Sequence, residues 1–395
     1  MKKDNTISTS SKKEAMPSRT EWHSWKSGKL CKGCGLCVEG KKLVLFVTGL
    51  CAQKCFYCPI GEHKFGKDVV FANEWRIADP ENPKELLEEA RLTGARGAGI
   101  TGGDPLMNTE RCCEYIRLLK KNFGKDFHIH LYTPLKLVTA EKLSALRSAG
   151  LDEIRFHPDL DDDSLWTRLS LARDYGWDVG VEIPALPGYE LKTKRLIDFI
   201  ADKIDFLNLN ELEVSDTQAV HYDLKSKGFS PKDSVSYGVK GSENMALRML
   251  AYARKKNAPA HYCTAKLKDS VQVKKRIQAR AENVALDFDK ITDDGTLVRG
   301  CAYLSFLQPG AKYRQRKAEI DPSKAMALLE IARHELIGLG MKEDELMIDP
   351  EKLRLLMPAE SARKNSGLIK KKGMIPCIVE EYPTADAVEV DVKFV

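Results

Sequence analysis

Six cysteines fall into two short runs, Cys31-x2-Cys34-x2-Cys37 and Cys51-x3-Cys55-x2-Cys58. Thiolates are soft ligands that suit iron–sulfur clusters and zinc. Three of them on a loop as short as Cys51–Cys58 can hold three irons of a [4Fe–4S] cube and leave the fourth iron open. An open iron binds a substrate or cofactor, whereas four cysteines restrict a cluster to electron transfer or a structural role. The first run has the spacing of a ferredoxin segment, whose fourth ligand comes from elsewhere in the chain. Cys263 is the preferred fourth ligand, with Cys301 second and Cys377 third. Such an auxiliary site would hold a second [4Fe–4S] cluster or a zinc ion. Gly33 and Gly35, between the first cysteines, suit a tight metal-binding turn. Cys112 and Cys113 are neighbours in a helical segment, face different ways, and are read as packing residues.

These side chains need a scaffold. The apolar, β-branched run Lys42–Thr48 reads as a buried strand, and Gly49 starts the loop that carries Cys51, Cys55 and Cys58. Helices are expected over Glu81–Thr93, Thr109–Asn122, Thr139–Ala149, Asp161–Tyr175 and Leu191–Lys203. Strands are expected over Gly97–Thr101, Phe127–Thr133, Glu153–His157, Asp178–Pro184 and Asp205–Asn210. Six βα steps imply an α/β fold with parallel pairing and right-handed crossovers. Their period alone fits a partial barrel or an open doubly wound sheet. Either way the loop after the first strand lies at the C-terminal mouth of the sheet, where such folds gather ligands.

Beyond residue 215 the pattern changes. Lys225–Gly241 reads as a loop, Ser242–Lys256 as a helix and Lys266–Asn283 as a basic helix. Strand character follows around Leu297–Leu307, then helices over Pro322–Leu339 and Asp349–Met357, then strands within Cys377–Val395. The expected organisation is a disordered tail over 1–20 and a Cys-rich auxiliary metal segment over 21–41. The βα repeats follow over 42–215, and an α+β extension over 216–395 is expected to carry substrate or auxiliary-site functions.

The chain has 395 residues, 43% hydrophobic and 30% charged, which places it among ordinary globular proteins. No stretch approaches the roughly 18 apolar residues of a membrane span, and the N-terminus lacks the apolar core of a signal peptide. A cytoplasmic protein without a membrane partner is expected. The odd count of 11 cysteines, clustered as they are, fits metal ligation in a reducing compartment better than disulfides. The net charge of +6 permits an anionic partner without demanding one. Lys266, Lys268, Lys274, Lys275, Arg276 and Arg280 form either a solvated face or a guide for RNA such as tRNA.

Cys51-x3-Cys55-x2-Cys58 after a first strand resembles the defining motif of the radical S-adenosylmethionine (radical SAM) superfamily. Gly102-Gly-Asp-Pro105 follows the second strand, where that superfamily usually carries Gly-Gly-Glu-Pro. The likeness covers about 42–210 and looks closest to archaeal-type relatives of pyruvate formate-lyase activating enzyme. It implies a partial (β/α)6 barrel, and a reduced [4Fe–4S] cluster that cleaves S-adenosylmethionine to start hydrogen abstraction. It further implies that Gly102, Gly103, Asp104 and Pro105 hold the amino group of the methionine moiety, with Asp104 one methylene shorter than the usual Glu. Tyr57 suits packing beside a flat cofactor. Thr133, His157, Glu182 and Asn210, in or at the ends of strands three to six, are candidates to touch cofactor or substrate. An electron donor such as ferredoxin or flavodoxin is implied. The substrate stays open among RNA, a peptide or protein (a glycyl-radical partner included) and a small molecule. The rival reading is an Fe–S or zinc-bearing nucleic-acid-binding protein without radical chemistry.

Overall fold

The computed structural model describes residues 17–310 and 312–395. The disordered tail expected over 1–20 lies outside the described residues as far as residue 16. Its last residues differ from that expectation, because Ser18 and Arg19 pair antiparallel with Lys26 and Trp25. In chain order the protein begins with β1 (Ser18–Arg19), β2 (Trp25–Ser27), α1 (Lys32–Val38), β3 (Lys42–Phe46), β4 (Phe71–Ala72), β5 (Trp75–Arg76) and α2 (Lys84–Leu92). There follow β6 (Gly97–Thr101), α3 (Thr109–Phe123), β7 (His128–Pro134), α4 (Ala140–Ala149) and β8 (Glu153–His157). Next come β9 (Asp178–Ala185), α5 (Glu190–Ile200), β10 (Phe206–Glu211), α6 (Ser242–Lys255) and β11 (Ala260–Cys263).

Packing divides the chain into two units. The first holds residues up to Val38, Phe46–Val69 and Ala98–Asp269; the second holds Glu39–Leu45, Val70–Gly97 and Ser270–Val395. In the first unit β7, β8, β9, β10 and β11 pair in parallel, each with the next. β6 flanks β7, and β2 closes the far side antiparallel to β11. β11 is a four-residue strand that the sequence period did not signal. Its register sets Cys263 beside Asn210 and carries the chain up to Asp269 into this unit.

The strands of this unit alternate strictly. Ile129, Leu131, Ile154, Phe156, Leu207 and Leu209 are buried, and so are the residues between them: His128, His130, Glu153, Arg155 and Asn208. A period of two puts these sets on opposite faces. One face is therefore apolar, with α6 lying against β9, β10 and β11. The other is a buried polar lumen whose groups must find partners inside it. Arg155 supplies most of them. Its guanidinium pairs with Glu153, reaches Glu182 at 2.8 Å and donates to the Tyr132 hydroxyl at 3.0 Å.

Helix α1 packs against β7, and its Gly33 N–H donates to Glu153 Oε2 at 3.2 Å. A Cβ on Gly33 would stand 2.5 Å from Arg155 Nη2 and 2.7 Å from His130 Nδ1, so any other residue here would have to displace these buried side chains. The first cysteine run is thus helical, not a tight turn. Gly35 N–H already bonds the Cys31 carbonyl in the i→i−4 manner of an α-helix.

Two other segments differ from expectation. Asp161–Tyr175 gives a 3₁₀ helix over Trp166–Tyr175 instead of an α-helix. Its buried residues Trp166, Leu169 and Ala172 recur every three, the period of that helix. Asp349–Met357 forms two strands, Met347–Asp349 and Arg354–Met357, instead of a helix. All four residues of Arg354–Met357 are buried, and a short run buried on both faces has no period that separates strand from helix. The basic stretch is broken in three: Ala265–Leu267 is α-helical, Lys268–Val273 is π-helical and Lys274–Val284 is α-helical.

The second unit contains an antiparallel sheet in which Leu297–Leu304 runs between Arg354–Met357 and Met374–Glu381. Cys301 and Cys377 are cross-strand partners in it and belong to its hydrophobic core with Tyr303, Leu355 and Val379. Among the described residues no helix is long and apolar enough to cross a membrane.

Glu153→Leu tests the lumen network. Breaking a buried ion pair from one side costs about 3–5 kcal/mol, so the denaturant midpoint of the metal-free protein is expected to drop steeply. An unchanged midpoint would mean that Arg155 is compensated without Glu153.

Candidate active site

The loop after β3 is folded back by its own backbone. Gly49 N–H bonds the Lys67 carbonyl and Gly66 N–H bonds the Gly49 carbonyl, at 2.8 and 2.9 Å. A Cβ on Gly49 would lie 1.7 Å from the Lys64 oxygen, a position closed to any other residue. Cys51, Cys55 and Cys58 are half-buried on this loop. Burial, with the Cys58 charge adding to it, pushes the Cys55 thiol up to about 12. Burial raises Cys51 and Cys58 as well. Thiols raised in this way stay protonated unless a metal replaces the protons.

Gly102-Gly-Asp-Pro105 lies directly on that loop. Gly103 N–H donates to the Thr48 carbonyl and Asp104 N–H to the Leu50 carbonyl, both at 2.8 Å. Cβ atoms on Gly102 and Gly103 would stand 2.4 Å from Thr48 O and 2.3 Å from Leu50 O. The close approach that the two glycines permit is therefore to the cysteine loop itself.

Asp104 is wholly buried. Its Oδ1 caps the turn Pro105–Asn108 through Leu106 N–H at 3.0 Å and accepts from the Thr133 hydroxyl at 2.8 Å. Its Oδ2 has no hydrogen-bond partner among the described residues. Burial raises the Asp104 carboxyl above its ordinary value, opposed by the bonds from Thr133 and Leu106. Pro105, also buried, opens the capped turn.

Tyr57 ties the loop to the next strand ends. Its hydroxyl lies 2.9 Å from His157 Nε2, and His157 Nδ1 lies 2.8 Å from the Glu182 carbonyl. The carbonyl only accepts, so Nδ1 carries the proton and Nε2 accepts from Tyr57. Burial holds the His157 imidazole below its usual range and lifts the Tyr57 phenol well above its own.

Glu182 and Asn210 belong to a second group. Glu182 accepts from Asn210 at 2.8 Å, Asn208 at 2.9 Å and Arg155 at 2.8 Å. The same donors touch the first cysteine run: Arg155 Nη2 is 3.4 Å from Cys31 Sγ and Asn208 Nδ2 is 3.2 Å from Cys34 Sγ. The hydrogen bond from Cys31 keeps the Cys34 thiol low, with Arg155 and His261 adding to it. Burial raises the Cys263 thiol, and the charges of Cys34, Glu182 and Cys37 raise it further. Cys31, Cys34, Cys37 and Cys263 thus share one electrostatic neighbourhood in the first unit.

The sequence-selected residues therefore fall into two groups joined at His157 and Glu182. Arg155, Glu153, His128 and His130 were missed by sequence reasoning. Their signal was available as polar residues alternating inside strands such as His128-Ile-His130-Leu-Tyr132. Among the described residues, His128, His130 and Glu153 are the one set of side chains gathered closely enough for a single ion. The guanidinium of Arg155 on Glu153 makes this an ion-pair network instead.

Residues 45–200 match the model of the Radical SAM superfamily. The chain is 38% identical to the Methanocaldococcus jannaschii protein named "Putative glycyl-radical enzyme activating enzyme MJ0021", over 92% of each chain. It is 24% identical to PqqA peptide cyclase of Bradyrhizobium diazoefficiens over 47% of this chain and 48% of that one. Among solved structures, methylornithine synthase aligns over 57% of this chain and 71% of its own, with 13% identity and a TM-score of 0.38.

Two outcomes are expected of this geometry. Gly103→Ala, whose new methyl meets backbone that cannot yield, is expected to abolish iron uptake by the Cys51–Cys58 loop, read from iron content after reconstitution. Uptake at the level of the parent chain would mean that the turn and loop separate freely. The second outcome concerns His157, whose folded value lies below the unfolded value of about 6.5. Its neutral form contributes stability above that pH, and the contribution falls away as acidification charges the ring. His157→Gln is expected to flatten this acid-side loss in unfolding midpoints measured from pH 8 down to pH 5.

Proposed function

The chain belongs to the radical SAM superfamily, and we propose that this radical SAM enzyme acts on a polypeptide and carries an auxiliary iron–sulfur centre on Cys31, Cys34, Cys37 and Cys263. The enzyme class, with its [4Fe–4S] cluster and S-adenosylmethionine, follows from the family. The polypeptide reading is carried by the 38% identity, over 92% of both chains, to a relative named as an activating enzyme. The basic stretch gives RNA little support. Lys268 pairs with Glu213, Lys274 with Asp294 and buried Arg280 with Glu89.

The residues at the mouth fit the cofactors. Three half-buried sulfurs on one loop match a cluster with an open iron. Asp104 Oδ2, buried and without a partner among the described residues, suits an ammonium group. A reduced cluster held by Cys51, Cys55 and Cys58 would supply the electron for cleaving the sulfonium's carbon–sulfur bond, and with it the hydrogen-abstracting radical. The chain orients and shields. Thr133 fixes the Asp104 carboxylate, leaving its second oxygen as the acceptor. Neutral His157 anchors the cysteine loop through Tyr57.

For the auxiliary site, the ferredoxin-like spacing of Cys31, Cys34 and Cys37 supports a cluster, with zinc as the alternative that the same four sulfurs could hold. The second and third choices for the fourth ligand, Cys301 and Cys377, sit in the second unit's core.

Anaerobically reconstituted protein is expected to release 5′-deoxyadenosine from S-adenosylmethionine only with reductant, and not at all as Cys55→Ala. Protein with a full complement of iron and sulfide that releases none would favour the metal-bearing binding module. Cys263→Ala is expected to lose the iron of one cluster, half the total; an unchanged content would move the fourth ligand elsewhere. Deuterated cellular protein freed of RNA is expected to pass deuterium into 5′-deoxyadenosine. Transfer from the RNA fraction alone would overturn the polypeptide reading.

A further inference from the structure

We propose that Asn208 and Arg155 set the reduction potential of the auxiliary centre by donating N–H···S hydrogen bonds to its cysteine ligands. The inference rests on the reading of Cys31, Cys34, Cys37 and Cys263 as an iron–sulfur site. It adds a function for two lumen residues that otherwise look purely structural.

Asn208 Nδ2 stands 3.2 Å from Cys34 Sγ and 2.9 Å from Glu182 Oε2. A sulfur ligand and a carboxylate both only accept, so the two amide hydrogens are both used and the orientation of the amide is fixed. Arg155 Nη2 stands 3.4 Å from Cys31 Sγ. Its other nitrogens are held by Glu153, Glu182 and Tyr132. Both donors are buried, so water cannot replace them and their fields are weakly screened.

Reduction adds an electron to a centre that already carries negative charge on its sulfurs. Donors on those sulfurs, and a guanidinium beside them, stabilise the reduced form more than the oxidised form and so raise the potential. The carboxylates of Glu153 and Glu182 act in the opposite sense. Arg155 bonds both of them, and Asn208 and Asn210 bond Glu182. The network therefore aims its donors at sulfur while tying up its acceptors.

Asn210 provides a comparison. It donates to the same Glu182 at 2.8 Å from the next inward position of β10; its register partner on β11 is Cys263, and among the described residues no hydrogen bond joins it to Cys31 or Cys34. A change that acts through a loosened Glu182 should follow equally from either asparagine. One that acts through the hydrogen bond to Cys34 should be larger for Asn208.

The test uses the full chain carrying Cys51→Ala, Cys55→Ala and Cys58→Ala, so that one centre remains, reconstituted anaerobically and titrated with EPR detection. Asn208→Leu is expected to lower the ratio of reduced to oxidised centre about tenfold at fixed solution potential, a shift of about 59 mV for a one-electron couple. Asn208→Ser, which keeps an O–H donor, is expected to recover part of that shift, and Asn210→Leu to shift the potential less than Asn208→Leu. Arg155→Lys, which keeps the charge and loses the fork, is expected to shift it less than Asn208→Leu. Equal potentials for Asn208→Leu and the parent, or equal shifts for Asn208→Leu and Asn210→Leu, overturn the inference while leaving the auxiliary centre standing. Failure of any iron–sulfur centre to form in the parent of the series overturns the auxiliary-site reading, and the inference with it.

Discussion

One buried cation, the Arg155 guanidinium, organises the first unit. An arginine inside a low-dielectric lumen is tolerable only when its charge is matched and its donors are used. Glu153 and Glu182 supply the matching charge, and Tyr132 and Cys31 take further donors. These partners come from β7, β8, β9 and the residue preceding α1, so one side chain fixes three strands and the N-terminal cysteine run relative to one another. The planar fork cannot be replaced by the point charge of lysine without leaving acceptors unfilled. The choice of glycine at position 33 follows from the same crowding, because the helix has to approach the guanidinium within van der Waals distance.

The mouth of the unit is built on a different principle. There the cysteine loop and the Gly-Gly-Asp-Pro turn are joined by main-chain hydrogen bonds between Thr48–Leu50 and Gly103–Asp104. The side chains stay available because the backbone does the joining. Asp104 shows the division of labour within a single carboxylate. One oxygen is committed to Thr133 and Leu106 as a structural cap, and the other remains an acceptor in a buried place. Shortening the usual Glu to Asp suits this double role, since the shorter side chain can cap its own turn, a frequent use of Asp at the start of a helical segment.

Much of this was legible in the sequence, for identifiable reasons. The strands expected to end at Thr101, Thr133, His157 and Asn210 could be read because short runs of strand formers, bounded by turn residues, have few other uses. The cysteine loop could be read because spacing alone constrains a cluster. What escaped was anything that depends on which strands become neighbours. Ala260–Cys263 is too short to show a period, and only pairing with β10 makes it a strand. Arg155 stands in a five-residue strand with two other polar residues, Glu153 and His157, and nothing local sets it apart. Its importance depends on Glu182 from β9 and Cys31, residues 27 and 124 positions away. Arg354–Met357 failed for a related reason, since its burial on both faces erased the alternation that marks a strand.

The two groups differ in what the chain itself supplies. In the lumen, Arg155, Glu182 and Asn208 are bonded to one another and to the Cys31 and Cys34 sulfurs, so protein groups already orient the side chains around the first cysteine run. At the mouth a buried carboxylate oxygen is left over, and three half-buried sulfurs favour the thiol form, whose protons iron must displace. Buried polar groups without partners are costly, and native chains retain them where a ligand supplies what is missing. His157 links the two regimes, taking its orientation from the Glu182 backbone below and passing it to Tyr57 above. A rigid lumen thereby aims a loop whose own chemistry is incomplete, as a site that must hold a reactive cofactor in one geometry requires.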